Sequence, residues 1–460
     1  MSKTIIIDPV TRLEGHLKIE LTIENNKIQA AKASGTMFRG LEKILVGRDA
    51  FDAPIITARI CGVCPVSHSY VASVALESSV GVTPPTNARL IRNLILSANF
   101  LQSHILHFYH LALLDFMVGP DMPPWRPTLQ RDMRFSATEN ERLFKHYDMA
   151  LDMRRKTHSM GAIFGGRLPH PSSVIPGGVT AIVTKERIDQ YKTLLEEVSG
   201  FVVDTYAGDV QLLTETYPEY SKMGAGPGNF ISYGAFFDDD PHSKTLFKSG
   251  VLLGEGTEEK LDPVHLSESV ASSWYTNASG TEVLYPKEGA YSWIKAPRYK
   301  GQVMEAGSLA RMKVNSGGRT SGGLLSYDLS HPSVLSRHQA RVIESIELIK
   351  GMRRWLDELD PSAPVYRAFA LPQSGTISGI GLLEAPRGAL GHWFTVENNK
   401  ILSYQIITPT CINASPADEK GNAGAMEAAL VGSDVGDPQE AIEALRIVHS
   451  FDPCLACAVH

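Results

Sequence analysis

Arg59-Ile-Cys-Gly-Val-Cys-Pro-Val-Ser-His68 places two cysteines three positions apart, and Asp452-Pro-Cys-Leu-Ala-Cys-Ala-Val-His460 repeats that spacing near the other end of the chain. A CxxC sets two thiols on one turn, close enough to chelate one ion. Two such pairs make a tetrathiolate cage suited to zinc, iron or nickel. Alone, either pair also reads as a redox dithiol or as half of a structural zinc site. Zinc ribbons, however, keep their pairs tens of residues apart, because there the metal folds a small module. A chain of 460 residues buries a large core without zinc, so bringing both ends to one metal points to a buried functional site. That juxtaposition decides the fold: it predicts one domain over residues 1–460, with the Cys61/Cys64 and Cys454/Cys457 pairs meeting inside it. The thiols alone do not separate zinc from nickel.

Upstream of the first pair, Leu17-Lys-Ile-Glu-Leu-Thr-Ile23 alternates apolar and polar residues, Asn25-Asn26 supplies turn chemistry, and residues 27–35 follow as a second strand. Thr22-Ile-Glu-Asn-Asn-Lys-Ile28 recurs almost unchanged as Thr395-Val-Glu-Asn-Asn-Lys-Ile401, so two hairpins are predicted and no solenoid. Between them apolar residues fall at helical spacing over 86–118, 137–158, 185–216 and 334–358. Residues 236–262 are polar, acidic and glycine-bearing and predict a surface excursion. A last helix is predicted to start at Asp437-Pro438-Gln439-Glu440, where aspartate caps, proline suits the first turn and glutamate completes a capping box. It should end near His449, leaving Ser450-Phe451-Asp452-Pro453 to deliver Cys454 in an extended or turn conformation. No Ser/Gly/Pro-rich linker divides the chain. The fold class is α+β and predominantly helical, a large helical core with small peripheral sheets and hairpins.

Composition narrows function by exclusion. A formal charge of −6 is mild for this size and points to neither nucleic acid nor an anionic membrane surface. No apolar run has the length of a membrane span, and Met1-Ser-Lys-Thr-Ile-Ile-Ile7 suits a strand better than a secretory signal. Five cysteines, Cys411 being the fifth, are too few and too oddly placed for a disulfide scaffold.

The residues around the two pairs say more. Both flanking motifs closely resemble the signatures of nickel–iron hydrogenase large subunits, and the resemblance runs along the whole chain. Arg12-Leu-Glu-Gly-His16 and Phe38-Arg-Gly-Leu-Glu42 are similar to the N-terminal blocks of that family. His107-Phe-Tyr-His-Leu111, Phe164-Gly-Gly-Arg-Leu-Pro-His170 and Pro176-Gly-Gly178 are similar to its central blocks. Tyr291-Ser-Trp-Ile-Lys-Ala-Pro-Arg-Tyr299 and Glu384-Ala-Pro-Arg-Gly-Ala-Leu390 complete the series.

What the resemblance implies is an H2-cleaving centre of nickel and iron, the iron carrying carbon monoxide and two cyanides. Cys61 and Cys454 would be terminal nickel ligands, and Cys64 and Cys457 would bridge nickel to iron. Soft thiolates suit nickel. Cys454 would accept the proton of heterolytic cleavage and Glu14 would relay it, a role that suits a buried glutamate with a raised pKa. Without the resemblance, Glu14 reads as a partner of Arg12 or a turn cap. Arg387 would sit over the metals as a rigid, permanently charged fork of donors. Pro386, Pro409 and Thr410 would line the diatomic ligands, and His68 would donate to a cysteine sulfur. Glu42, His460 and the carbonyl of Ile406 would hold a second ion, magnesium or iron, with waters. Ending at His460, the chain matches the family's processed form.

The pattern also departs from the family. Ser103 stands where an aspartate is usual in the canopy over the metals, and Cys411 falls close to the expected site, where a small buried apolar role competes with a redox one. Ser308 and Ala417 replace a proline and an arginine. Two rival readings are a quinone-binding respiratory relative that has lost the cysteines, which the intact four oppose, and a zinc-stapled structural protein. The resemblance further implies an iron–sulfur small subunit as partner, in a heterodimer or a dimer of heterodimers, because beyond the four this chain has too few cysteines left for clusters. It allows a membrane cytochrome reached through that subunit. A periplasmic or membrane-attached location is favoured over a cytoplasmic one.

Overall fold

The computed structural model describes residues 2–122, 132–239, 243–254, 256–278, 280–316 and 327–460. Strands Lys3–Val10, Leu17–Glu24 and Lys27–Gly35 form an antiparallel meander. Leu17, Ile19, Leu21 and Ile23 all point into the core, as a period of two requires. Asn25 and Asn26 turn the chain with φ of 51° and 57°, and Asn398 and Asn399 do the same with 50° and 61° between strands Gly388–Glu397 and Lys400–Ile407. Asparagine tolerates the left-handed region that a two-residue hairpin needs. Both predicted hairpins are therefore present.

The predicted helical segments form the centre. Helix Thr86–Leu106 is buried on nearly every side, widens into a π-helical stretch at His107–Ala112 and closes at Leu113–Asp115. Its internal Arg92 is neutralised by both carboxylate oxygens of Glu77, at 3.1 and 2.6 Å. Helix Ala137–Gly165 starts from a Ser136/Glu139 capping box, and helix Val334–Glu358 starts from Ser333. Lys185–Gly200, Phe201–Tyr206 and Ala207–Thr216 run on as one helical rod.

Two expectations are corrected. Residues 236–262 are not a loose excursion: Phe230–Phe237, Thr245–Leu253 and Thr257–Glu259 pair into an antiparallel sheet, leaving 240–242 and 255 outside the described residues. Phe247 and Val251 are buried there, while Lys248 and Ser249 between them are exposed. The last helix begins at Ile442 rather than at Asp437. The Asp437 carboxylate accepts from the Gln439 N–H at 2.8 Å, which closes a turn, and Ala441 then takes φ 41°, so no helix can pass through it.

The site rests on one close approach. Helix Pro65–Val80, which follows Cys64, lies on strand Thr376–Ala385. A Cβ on Gly381 would stand 2.3 Å from the Val71 carbonyl, and one on Gly379 would stand 2.3 Å from that of Ala75. Gly381→Ala is expected to push this helix off the strand and cost about 1–3 kcal/mol, read as a lower Tm with poorer metal retention; an unchanged Tm would show that the strand yields instead.

Candidate metal centre

Each cysteine pair opens a helix. Cys61 is extended, φ −137° and ψ 144°, after the turn Ala58–Ile60, while Cys64 caps Pro65–Val80 with Pro65 in the first turn. Cys454 caps the short helix Leu455–Ala458, and Cys457 lies within it. The four ligand atoms fall within 4.8 Å of one another. Cys61 and Cys454 sulfurs are 3.4 Å apart, Cys64 and Cys457 3.3 Å, and Cys454 and Cys457 3.2 Å. All are free thiols and none is more than 2 % exposed. Four convergent soft donors shielded from water fit a thiophilic metal.

Arg39, which sequence reasoning left without a role, holds the pairs together, and the Glu14–Gly15 backbone packs against the second pair. Arg39 donates to the carbonyls of Ile60, of Arg59 (3.0 Å) and of Ala456 (3.1 Å), stapling one pair's loop to the other's. The N–H of Leu455 donates to the Glu14 carbonyl at 2.6 Å, and a Cβ on Gly15, which has φ +85°, would stand 2.7 Å from the Ala456 nitrogen.

Charge is distributed unevenly among the thiols. Cys61 is held well below the usual thiol range by its sulfur neighbours, Cys454 first, against burial and with help from Arg387. The Val63 and Cys64 N–H groups also point at its sulfur, at 3.2 and 3.3 Å. Cys64 is pushed up, first by its contact with Cys454, and Cys457 is pushed up by burial. Metal coordination removes such protons outright.

Arg387, 4 % exposed, donates to Asp452 at 2.8 Å and to Ser103 Oγ at 3.3 Å. Burial opposes its charge, but Asp452 and the thiolates of Cys454, Cys64 and Cys61 keep it more firmly protonated than usual. Among the described residues its Nε and Asp452 Oδ2 are buried without a hydrogen-bond partner, and a polar group beside the sulfurs would suit both. The preceding backbone is clamped by Arg311, which donates to Pro386 O at 2.8 Å and Ala385 O at 3.1 Å while pairing with Glu344 and Glu384. Thr410 follows Pro409 in the turn Pro409–Asn413 and accepts from the Cys454 N–H at 3.0 Å, leaving its hydroxyl proton free to donate elsewhere.

Glu14 is half-buried. Burial and then the Cys61 charge raise its pKa against Arg387 and Arg39. Arg12 is engaged with Asp115 and Leu111 O instead, so the simple Glu14–Arg12 pair is not formed. His68 Nε2 lies 3.7 Å from Cys457 Sγ. Ser308 donates to Glu344 at 2.6 Å, and Cys411 packs with its sulfur 3.1 Å from Thr408 Oγ1 and 3.3 Å from Ala458 O.

A second cluster sits beside Cys457. His460 has Nδ1 2.6 Å from the Cys457 carbonyl and Nε2 3.4 Å from Glu42 Oε1. Glu42 also accepts from the Ile406 N–H at 2.9 Å and from Lys295 at 2.7 Å. Ile406 thus meets Glu42 through its nitrogen, while the ligand atom expected of it is the carbonyl. Burial would raise the Glu42 carboxyl, yet Lys295 and His460 hold it down at about 2. His460 is pushed up to about 10 against burial, by Cys411 and Glu42. A carboxylate facing an imidazole fits a divalent ion that displaces the imidazole proton.

Comparison with known proteins gives one consistent answer. The family described as nickel-dependent hydrogenase matches residues 39–119 and 125–460, and one described as HoxL-like matches residues 4–34. The periplasmic NiFeSe hydrogenase large subunit of Desulfomicrobium baculatum is 38% identical over 99% of this chain and 94% of its own length. The hydrogenase-2 large chain of Escherichia coli K12 is 31% identical over 100% and 97%. The reduced Ni-Fe-Se hydrogenase of D. vulgaris Hildenborough superposes with a TM-score of 0.96 at 40% identity, covering all of both chains.

Proposed function

Because this chain belongs to the nickel-dependent hydrogenase family as a large subunit, we propose that it is the catalytic subunit of an enzyme running H2 ⇌ 2 H+ + 2 e− at a nickel–iron centre. The buried four-thiol cluster beneath the Arg387–Asp452 pair carries this reading. Cys61, Cys64, Cys454 and Cys457 would hold the nickel and an iron that carries carbon monoxide and two cyanides, Cys61 and Cys454 as ligands of nickel alone and Cys64 and Cys457 shared by both metals. That centre supplies heterolytic cleavage of H2 and storage of its electrons. Everything else belongs to the protein. Cys454 takes the proton at Sγ and Glu14 passes it outward. Arg387 presents a fixed positive fork above the sulfurs, where it orients bound groups without reorganising. Thr410 offers its hydroxyl beside Pro386 and Pro409, and burial of all four thiols keeps water away. Glu42, His460 and the Ile406 carbonyl would hold magnesium or iron. The meeting of both cysteine pairs supports residues 1–460 as one domain.

Electrons leave through an iron–sulfur small subunit, since Cys411 alone cannot ligate a cluster. The pair forms a heterodimer, or a dimer of heterodimers, that can reach a membrane cytochrome. Relatives named as periplasmic, and as the quinone-reactive Ni/Fe-hydrogenase of Wolinella succinogenes, favour a periplasmic or membrane-attached location.

The purified heterodimer is expected to contain nickel and iron and to show one strong carbon monoxide stretch with two weaker cyanide stretches in the infrared. Metal-loaded protein holding only zinc, with a blank window, would overturn the assignment.

A further inference from the structure

His68 is the inner end of a longer chain of hydrogen bonds. Its Nδ1 lies 3.2 Å from His392 Nε2, and His392 Nδ1 lies 2.9 Å from the Tyr404 hydroxyl. His68 comes from helix Pro65–Val80, and His392 and Tyr404 come from the paired strands Gly388–Glu397 and Lys400–Ile407. All three are buried, at 1 %, 0 % and 4 % exposure. Tyr404 also lines a surface cavity of about 700 Å³ with Glu268, Trp393 and Gln405. Four groups in line, from Cys457 Sγ to the Tyr404 hydroxyl, exceed what packing one imidazole requires.

The direction of every bond in the chain follows from its inner end. A metal-bound thiolate has no proton and can only accept. His68 Nε2 must then carry the hydrogen. A neutral imidazole has one donor and one acceptor, so His68 Nδ1 accepts and His392 Nε2 donates. His392 Nδ1 accepts in turn, and Tyr404 donates. Both rings and the phenol are buried, and burial favours neutral imidazoles and a protonated phenol. Reversing one bond would set two donors or two acceptors against each other in the interior and leave buried polar atoms without a partner.

We propose that His392 and Tyr404 are positioning residues which act through His68 to fix a hydrogen-bond donor on the Cys457 sulfur, drawing electron density from the metal centre. The proposal rests on the reading of Cys457 as a metal ligand. Partners of this outer kind commonly change metal affinity or activity about 10–100-fold when removed.

The test uses the heterodimer in three forms. Tyr404→Phe removes only the outermost donor, His392→Leu cuts the chain, and His392→Gln keeps one donor and one acceptor. Less donation leaves the sulfur richer in electrons, so the carbon monoxide stretch should move to lower wavenumber in Tyr404→Phe and further in His392→Leu. It should stay near the parent value in His392→Gln. Unmoved bands in both Tyr404→Phe and His392→Leu would overturn the proposal. Neutron diffraction of the parent heterodimer decides the bond directions separately. Deuterons on Nε2 of both histidines support the proposal, and a deuteron on Nδ1 of either overturns it. A parent with no such infrared bands would instead remove the nickel–iron reading.

Discussion

Cys454→Ala is expected to abolish H2 oxidation and to lower the nickel content of the purified chain by more than about a hundredfold. Loss of an outer-shell partner alone costs about 10–100-fold, and the thiol removed here is one proposed to bind the metal directly. Cys454 touches Cys61 at 3.4 Å and Cys457 at 3.2 Å, so its removal leaves the other three thiols without a closed cage. The change should be local, because alanine keeps the Cys454 N–H bond to Thr410 and the Leu455 bond to Glu14. Circular dichroism of the variant should match the parent. Atomic absorption showing normal nickel in a folded variant would remove Cys454 from the ligand set.

Glu14→Gln is expected to cut turnover by about 10²–10⁴-fold, the span general acid–base groups commonly contribute, with nickel and iron contents unchanged. Glutamine matches the shape of the side chain and leaves the backbone carbonyl on Leu455, but it cannot take up a proton. Exchange between H2 and D2O should fall with turnover, since both need the proton to leave. Parent-like exchange rates would place the exit elsewhere. The half-buried carboxyl, raised by its surroundings, is suited to hold the proton in transit.

Local signals carried the prediction far. Alternation gave the hairpins, helical spacing gave the buried rods, and two CxxC motifs gave a centre that the chain folds around. The Arg387 loop and the Glu42–His460 pair were legible through resemblance, not through chemistry readable from spacing. What escaped depends on contacts between distant segments. Asp452 stood inside a quoted motif, yet only the fold shows that it pairs with Arg387. Arg39 looked like one residue of an N-terminal block, and its three carbonyl partners belong to both cysteine loops. Lys295 could not be placed between Glu42 and Glu268, at 2.7 and 3.8 Å, from residues so far apart. The false start at Asp437 is different in kind: its capping pattern is sound, and a competing turn captured it. Selenium appears in the names of some relatives, whereas this chain presents cysteine sulfur at all four positions.

The backbone link between Glu14 and Leu455, and the sulfur contacts spanning 393 positions, have a consequence for how the protein is made. A ribosome delivers Cys61 and Cys64 early and Cys454 and Cys457 only after nearly all the core has been synthesised. Until then the first pair has no counterpart, and an ion arriving early finds half a site. Closing so long a loop is slow relative to forming local helices, so the complete pocket appears when the N-terminal sheet, the central helices and the final turn have all docked. The cage therefore reports on folding: a chain able to present four thiols at once has already passed inspection of its whole architecture.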